Sequence, residues 1–316
     1  MNADVLVFNH HGVGQIVEIE RLPRLGETIV GYNWRIAQDG GKGSNCAIAL
    51  GRMGVKTAYV GKVGNDAWGD LGKCWMEEAG VDVSCLLRSD EISTGTGLIM
   101  LMEDGQNTIV HGESSFRAMT DEEIESCIKQ HQDAQIMISG FEIPAEKALF
   151  GLKIGKSLGM KTLLNYSPIP KEPISDLSFV DIVVINEQEG EALTGIQVNA
   201  QTDLAAMMCV ILEKYHCGNV IMTLGARGAV SLDENRGLIQ CESPTVQVVD
   251  STGAGDAFLA AFSAGLVWKY TQKQAMEWAV QYAAHTVTTL GTIPSYPQKN
   301  ELETIFGIGE DHNEEG

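Results

Sequence analysis

Val249-Asp-Ser-Thr-Gly-Ala-Gly-Asp-Ala-Phe258 runs directly into the apolar stretch Leu259–Trp268. Gly253 and Gly255 make a tight turn and leave backbone amides bare at a helix start, with Asp256 in the first helical turn. Bare amides and the helix dipole together form an anion hole suited to a phosphoryl group in transfer. A carboxylate just inside can accept the proton of an attacking hydroxyl. Asp256 alone would also pass as an ordinary helix-start acid favoured by the dipole. The flanking Asp250, Thr252 and the apolar helix behind them favour chemistry.

A second glycine-rich segment, Asp39-Gly-Gly-Lys-Gly-Ser-Asn-Cys-Ala-Ile-Ala-Leu-Gly-Arg-Met-Gly54, also opens a helix. It is not a P-loop, because the G-x-x-x-x-G-K-[ST] spacing is absent. Gly12-Val-Gly14 is not a dinucleotide fingerprint either, since Val17 stands where the third glycine belongs.

Outward from these segments, short β-type runs alternate with helical patterns. Strands are expected at Ala3–Phe8, Lys56–Gly61, Gln135–Ile138, Lys161–Asn165, Val180–Ile185 and Val220–Leu224. Helices are expected at Ser44–Met53, Ala67–Ala79, Asp121–His131, Ala145–Leu158 and Thr202–Tyr215, the third opened by a capping box from Thr120 to Glu123. Apolar strands separated by helices predict an α/β fold with a mostly parallel sheet covered on both faces. Ile16–Ile36 and Gly95–His111 break the rhythm as strand followed by strand, and predict a small β-sheet lid from about 14–36 and 93–115. Extra edge strands of the main sheet are the alternative. One domain is expected over residues 1–308, followed by a disordered acidic tail at 309–316.

Composition narrows the function classes. Lys and Arg number 22 against 42 Asp and Glu, a net charge of −20, which disfavours nucleic acid and anionic membranes as partners. No apolar run approaches the roughly 20 residues of a membrane span, and Met1–Phe8 lacks the pattern of a secretory signal. The 7 cysteines include no C-x-x-C pair and read as free thiols in a reducing, cytoplasmic setting.

Both glycine-rich segments resemble the signature regions of the ribokinase, or pfkB-type, family of carbohydrate kinases. Leu22-Pro-Arg-Leu-Gly-Glu27, Gly61-Lys-Val-Gly-Asn-Asp66, Asn186-Glu-Gln-Glu189 and Thr223-Leu-Gly-Ala-Arg-Gly228 are further landmarks in family order, and the likeness spans about Val5 to Pro297. It implies a ribokinase-like three-layer sandwich and ATP-dependent phosphorylation of a hydroxyl, a primary one by the same likeness. Asp256 resembles the catalytic base, and Gly253, Ala254 and Gly255 the anion hole. Glu189 resembles the residue that organises the water shell of Mg²⁺, and Asn186 one beside the ATP phosphates, although Asn-x-x-Glu by itself reads as a helix cap. Thr223, Gly225, Arg227 and Gly228 resemble a stretch passing the nucleotide, with a plain turn as the alternative. Gly41, Lys42, Asn45 and Glu142 match positions lining the sugar pocket. Asp250, Thr252, Thr286, Thr289, Gly291 and Ser295 resemble loops that cage a monovalent cation, with K⁺ expected.

The departures concern the sugar side. Gly12 and Gly14 fall where ribokinases carry an Asn-x-Asp pair that grips the sugar, Glu113-Ser-Ser-Phe116 replaces a Gly-Ala-Asn segment, and an extra acid, Asp39, precedes the loop. The expectation is an acceptor other than ribose, admitted by space beside the glycines, with Asp39, Glu142, His10 or His11 holding its hydroxyls. A nucleoside kinase with Tyr32, Trp34 and Phe116 as the base slot is the first alternative; a non-catalytic sensor, which would not need Asp256, is the second. Exposed lid strands predict a homodimer.

Overall fold

The computed structural model describes residues 2–102, 106–112 and 114–307. Alternation within each buried strand builds the fold. In β1 (Val5–Phe8), Val5 and Val7 enter one apolar core while Leu6 and Phe8 enter the other. The same division recurs in β11 (Asn219–Thr223), where Ile221 faces the first core and Val220 and Met222 the second. A strand apolar on both faces needs helices on both sides.

The first face is covered by α1 (Lys42–Arg52), α2 (Ala67–Glu78), α7 (Ala254–Val267) and α8 (Gln272–Thr286). The second is covered by α3 (Asp121–Gln130), α4 (Ala145–Ser157), α5 (Glu187–Thr194) and α6 (Leu204–Tyr215). Between them lies a nine-stranded sheet that also contains β4 (Thr57–Gly64), β5 (Asp82–Ser89), β8 (Ile136–Gly140), β9 (Lys161–Asn165), β10 (Ile182–Asn186), β12 (Ala229–Leu232) and β13 (Leu238–Cys241). The strand order is β13-β12-β11-β10-β9-β8-β1-β4-β5, and all strands run parallel except β12, which pairs antiparallel with both β11 and β13.

A second sheet of four strands contains β2 (Gly12–Ile19), β3 (Tyr32–Ile36), β6 (Gly95–Met102) and β7 (Asn107–His111), ordered β3-β2-β6-β7. It is a separate sheet, so the strand-after-strand segments form a lid and not an extension of the main sheet. β2 and β6 run parallel from Gly12↔Gly95 to Ile19↔Met102, and β3 and β7 pair antiparallel outside them. The expected tail at 309–316 lies outside the described residues. All 7 cysteines are unpaired. Among the described residues, no helix is long and apolar enough to cross a membrane.

Candidate active site

Two helix N-termini meet at the site, and glycine opens both. Gly41 precedes α1 with φ 80°, Gly253 precedes α7 with φ 77°, and neither helix has a side-chain cap. Positive φ costs glycine little, so the chain can turn sharply and leave the first amides open to a ligand. An ideal Cβ on Gly255 would meet nothing within 4 Å, whereas one on Gly253 would collide with Thr292. The turn is therefore braced from behind and open in front.

Asp256 is buried in the first turn of α7, and Asn45 on α1 donates Nδ2–H to its Oδ2 at 2.9 Å. Asn45 is held in turn: its Oδ1 accepts from Gly40 N at 3.0 Å, and its Nδ2 also reaches Asp39 Oδ1 at 3.1 Å. Asp39 further accepts from Gly41 N at 2.8 Å and from Thr292 Oγ1 at 3.0 Å. Asp39 thus orients the residue that orients Asp256. Thr292 escaped the sequence reading because a single threonine in a loop carries no periodic or motif signal.

Burial dominates the electrostatics. It pushes the Asp256 carboxyl up to about 6, against the pull of Lys42 and the Asn45 hydrogen bond. The helix dipole by itself favours the charged form, and desolvation outweighs it. Glu142 is pushed up to about 7 by burial and by the charge of Asp256. Lys42 is raised, chiefly by Asp256, with Glu142, Glu189 and Asp39 contributing in the same direction. One half-buried ammonium thus serves four carboxylates. Glu142 also approaches the start of α1, where Gly43 N points to its Oε2 at 3.4 Å.

Asn186 and Glu189 form a full capping box at the start of α5: Asn186 N reaches Glu189 Oε2 at 2.7 Å and Glu189 N reaches Asn186 Oδ1 at 2.9 Å. Glu189 is buried, and burial raises its pKa. Each of its oxygens accepts one bond from Asn186, leaving lone pairs for water. Among the described residues no three His, Cys, Asp or Glu side chains converge to hold a metal directly. A buried carboxylate with lone pairs left for water suits Mg²⁺, which keeps several of its own waters.

Asn186 and Thr223 are paired residues at the ends of β10 and β11. Gly225 has φ 56° and open space at its Cβ position. Gly228 differs: a Cβ there would collide with the Cys241 carbonyl oxygen, so packing against β13 already requires glycine. Arg227 is exposed and paired with Glu187. Asp250 clips two loops, accepting from Thr252 N at 3.0 Å and Gly291 N at 3.0 Å. Burial raises its pKa, but those bonds outweigh it and the net shift is downward. Thr286 and Ser295 are buried with hydroxyls on the Ala283 and Thr292 carbonyls, and Thr289 N lies 3.3 Å from the Thr286 oxygen.

Three expectations about the acceptor side need correction. The space beside Gly12 is filled: an ideal Cβ there would stand 2.7 Å from His10 Nε2, and one on Gly14 3.0 Å from Ala37 Cβ. His11 does not face a ligand. Its Nδ1 is bonded to Ser44 Oγ at 2.8 Å, its ring packs over Gly72, and burial pulls its pKa down to about 4. Phe116 is fully buried against Phe8, 5.4 Å between ring centroids, and forms no base slot. Glu113 lies outside the described residues.

Residues 37–299 match the pfkB family carbohydrate kinase profile. The ribokinase of Staphylococcus aureus (strain COL) is 30% identical over 307 residues, covering 96% of this chain and 100% of the relative. The deoxyribokinase of Salmonella typhi is 28% identical over 310 residues, covering 97% and 100%. Among solved structures, Arabidopsis thaliana ribokinase complexed with ribose and ATP superposes with a TM-score of 0.87 at 28% identity, covering 98% of this chain and 100% of that one.

Proposed function

The chain belongs to the pfkB family of carbohydrate kinases and is an ATP-dependent sugar kinase; from that premise we propose that Asp256 deprotonates a primary hydroxyl of a sugar-like polyol as it attacks the γ-phosphate of ATP. The observation that carries this reading is a buried carboxylate, oriented by Asn45, at the meeting point of two uncapped helix N-termini. With its pKa raised to about 6, Asp256 is ionised at neutral pH yet basic enough to take a proton late in a loose transition state. The amides of Gly253, Ala254 and Gly255 receive the oxygens of the transferring group, and Lys42 offsets the negative charge gathered there.

Mg²⁺ bound with the nucleotide would neutralise phosphate charge, and Glu189 and Asn186 would hold its waters. Thr223 and Gly225 border the nucleotide. Asp250, Thr252, Thr286, Thr289, Gly291 and Ser295 would enclose K⁺ behind the anion hole; faster turnover in K⁺ than in Na⁺ at equal ionic strength tests that. Lid closure would exclude water and limit idle ATP hydrolysis. Leu25, Val30, Tyr32, Trp34 and Val110 expose apolar surface on the lid, which supports a homodimer formed through it. Seven unpaired cysteines fit a cytoplasmic enzyme.

An acceptor other than ribose draws no support from the relatives' names and stands on Gly12 and Gly14 alone. ADP release measured across pentoses, deoxypentoses, hexoses, sugar alcohols and nucleosides tests the substrate class. A nucleoside as the best acceptor would displace the sugar reading while leaving Asp256 in its role.

A further inference from the structure

We propose that Cys85 and Cys127 form a reversible disulfide on exposure to a hydroperoxide, with His131 as the proton acceptor, and that this bond tightens the stem of the lid. Cys85 lies on β5, at the edge of the main sheet, and Cys127 lies on α3. Both thiols are buried and unpaired, and the Cys85 Sγ stands 3.9 Å from the Cys127 carbonyl oxygen. A thiol–thiol hydrogen bond joins the two side chains.

The backbone places this pair. Ala58 pairs with Asp82 and Val60 with Cys85, so β5 carries one residue more than β4 just before Cys85. An extra residue of this kind re-aims the side chain that follows it. Cys127 and His131 are four apart at the end of α3 and share a face. His131 is buried at the helix C-cap, where the dipole favours an imidazolium, and neither ring nitrogen has a hydrogen-bond partner. The ring lies beside Cys85, beyond strict hydrogen-bond geometry, and favours the thiolate. The Cys127 hydrogen bond and then His131 hold the Cys85 thiol below the usual range against burial, while that same bond pushes Cys127 up. Burial pushes up Cys46, Cys217 and Cys241, and Glu78 pushes up Cys74. Cys85 is therefore the nucleophile of the pair, and Cys127 resolves it. Its outer cover is the exposed Gln130, whose Oε1 meets the Cys85 thiol at 3.5 Å and whose Nε2 donates to Ser84 Oγ at 3.2 Å. Displacement of that side chain is the route for a small oxidant.

His131 accepts the Cys85 proton, and the thiolate attacks one oxygen of hydrogen peroxide. The O–O bond breaks, the released hydroxide takes the proton from His131 and leaves as water, and Cys85 becomes a sulfenic acid. Cys127 then attacks that sulfur, and its proton and the departing hydroxyl form a second water. The two thiols lose the electron pair that the peroxide gains. The place of the pair in the chain gives the bond its consequence. Cys85 precedes β6 and Cys127 follows β7, so the segment between them carries two of the four lid strands. Ser89, four residues past Cys85, caps the turn into β6 by accepting from Glu91 N at 3.3 Å and Ile92 N at 3.2 Å. Glu123, one turn before Cys127, holds Lys62 of β4. Drawing the sulfurs to a bond of about 2 Å pulls both stems of that half of the lid together.

The test treats the full-length wild-type protein with hydrogen peroxide and maps linkages by non-reducing proteolysis and mass spectrometry. Kinetics with the best acceptor are measured before treatment, after it, and again after dithiothreitol. Peptides joined through Cys85 and Cys127 should appear, kcat/KM should fall at least about threefold, and dithiothreitol should reverse both. Cys127→Ala should stop at a sulfenic acid on Cys85, trapped by dimedone. His131→Gln should slow the linkage about tenfold, and Cys85→Ala should keep its activity under peroxide. The proposal is overturned if Cys85 and Cys127 stay reduced, whatever happens at Cys74. It is equally overturned if the linkage forms with kcat/KM unchanged, or if the loss persists in Cys85→Ala. The wild-type mapping decides the site even where a variant fails to fold, and it assumes nothing about Asp256 or the acceptor.

Discussion

Asn45 and Asp256 stand 211 residues apart in the chain, yet the Asn45 amide donates to the Asp256 carboxylate at 2.9 Å across the junction of α1 and α7. The two glycine-rich segments therefore meet in one place, joined by a hydrogen bond that also lowers the pKa of Asp256.

Removing that bond has a predictable sign. In Asn45→Ala the carboxyl loses the donor that favours its charged form, so its pKa should climb further above about 6. The acid limb of the kcat/KM–pH profile, expected near pH 6 in the wild type, should move to higher pH. Turnover at pH 7 should fall about tenfold to hundredfold. An unmoved acid limb would separate Asn45 from the base.

Stability should show the opposite face of the same burial. The folded-state pKa of Asp256 is raised from 3.8 to about 6, so the folded protein holds its proton more tightly than the unfolded chain does. This destabilisation is absent below about pH 4 and develops as pH rises through 6. Asp256→Asn should therefore melt higher than wild type at pH 7.5, by about 1–3 kcal/mol, with the difference vanishing near pH 4. Thermal melts at both pH values check it; a variant less stable at pH 7.5 contradicts the burial argument.

Much of the fold was legible because its strands are short, apolar and separated by amphipathic helices. Lys161–Asn165 matches its strand to the residue, and most other expected boundaries fall within about two. The edge strands β5 and β13, the strand β12 beside β13 and the helix α8 went unread: β5 and β13 are only partly buried, so their alternation is weak. Asp256, the glycine turn before it and Asn45 were legible as motifs. What lay beyond reach was how side chains divide the space, as with His10 filling the gap beside Gly12 and Asp39 spent on Asn45 and Thr292.

Gly225 and Gly228 belong to one motif but should respond differently to alanine. At Gly228, with φ 90° and the Cys241 carbonyl against any Cβ, substitution should cost more than about 2 kcal/mol of stability. At Gly225 only the positive φ opposes alanine, at about 1 kcal/mol, and any rise in the KM for ATP beyond that reports backbone approach to the nucleotide. Chemical denaturation and ATP titration of the two variants decide; equal stability losses would refute the distinction.

Glu189→Gln separates metal chemistry from helix capping. Glutamine can retain part of the capping box with Asn186 but lacks the charge that would organise a metal's waters. The Mg²⁺ concentration for half-maximal rate should rise severalfold with the KM for sugar unchanged. An unaltered Mg²⁺ titration would leave Glu189 as a capping residue alone.

The most direct test of the account is kcat for Asp256→Asn with the best acceptor, measured alongside calorimetric binding of sugar and nucleotide. Asparagine keeps the shape beside Asn45 and loses the base. The account predicts kcat lower by about 10²–10⁴-fold, with both ligands bound within about threefold of wild type. A kcat within tenfold of wild type would contradict it.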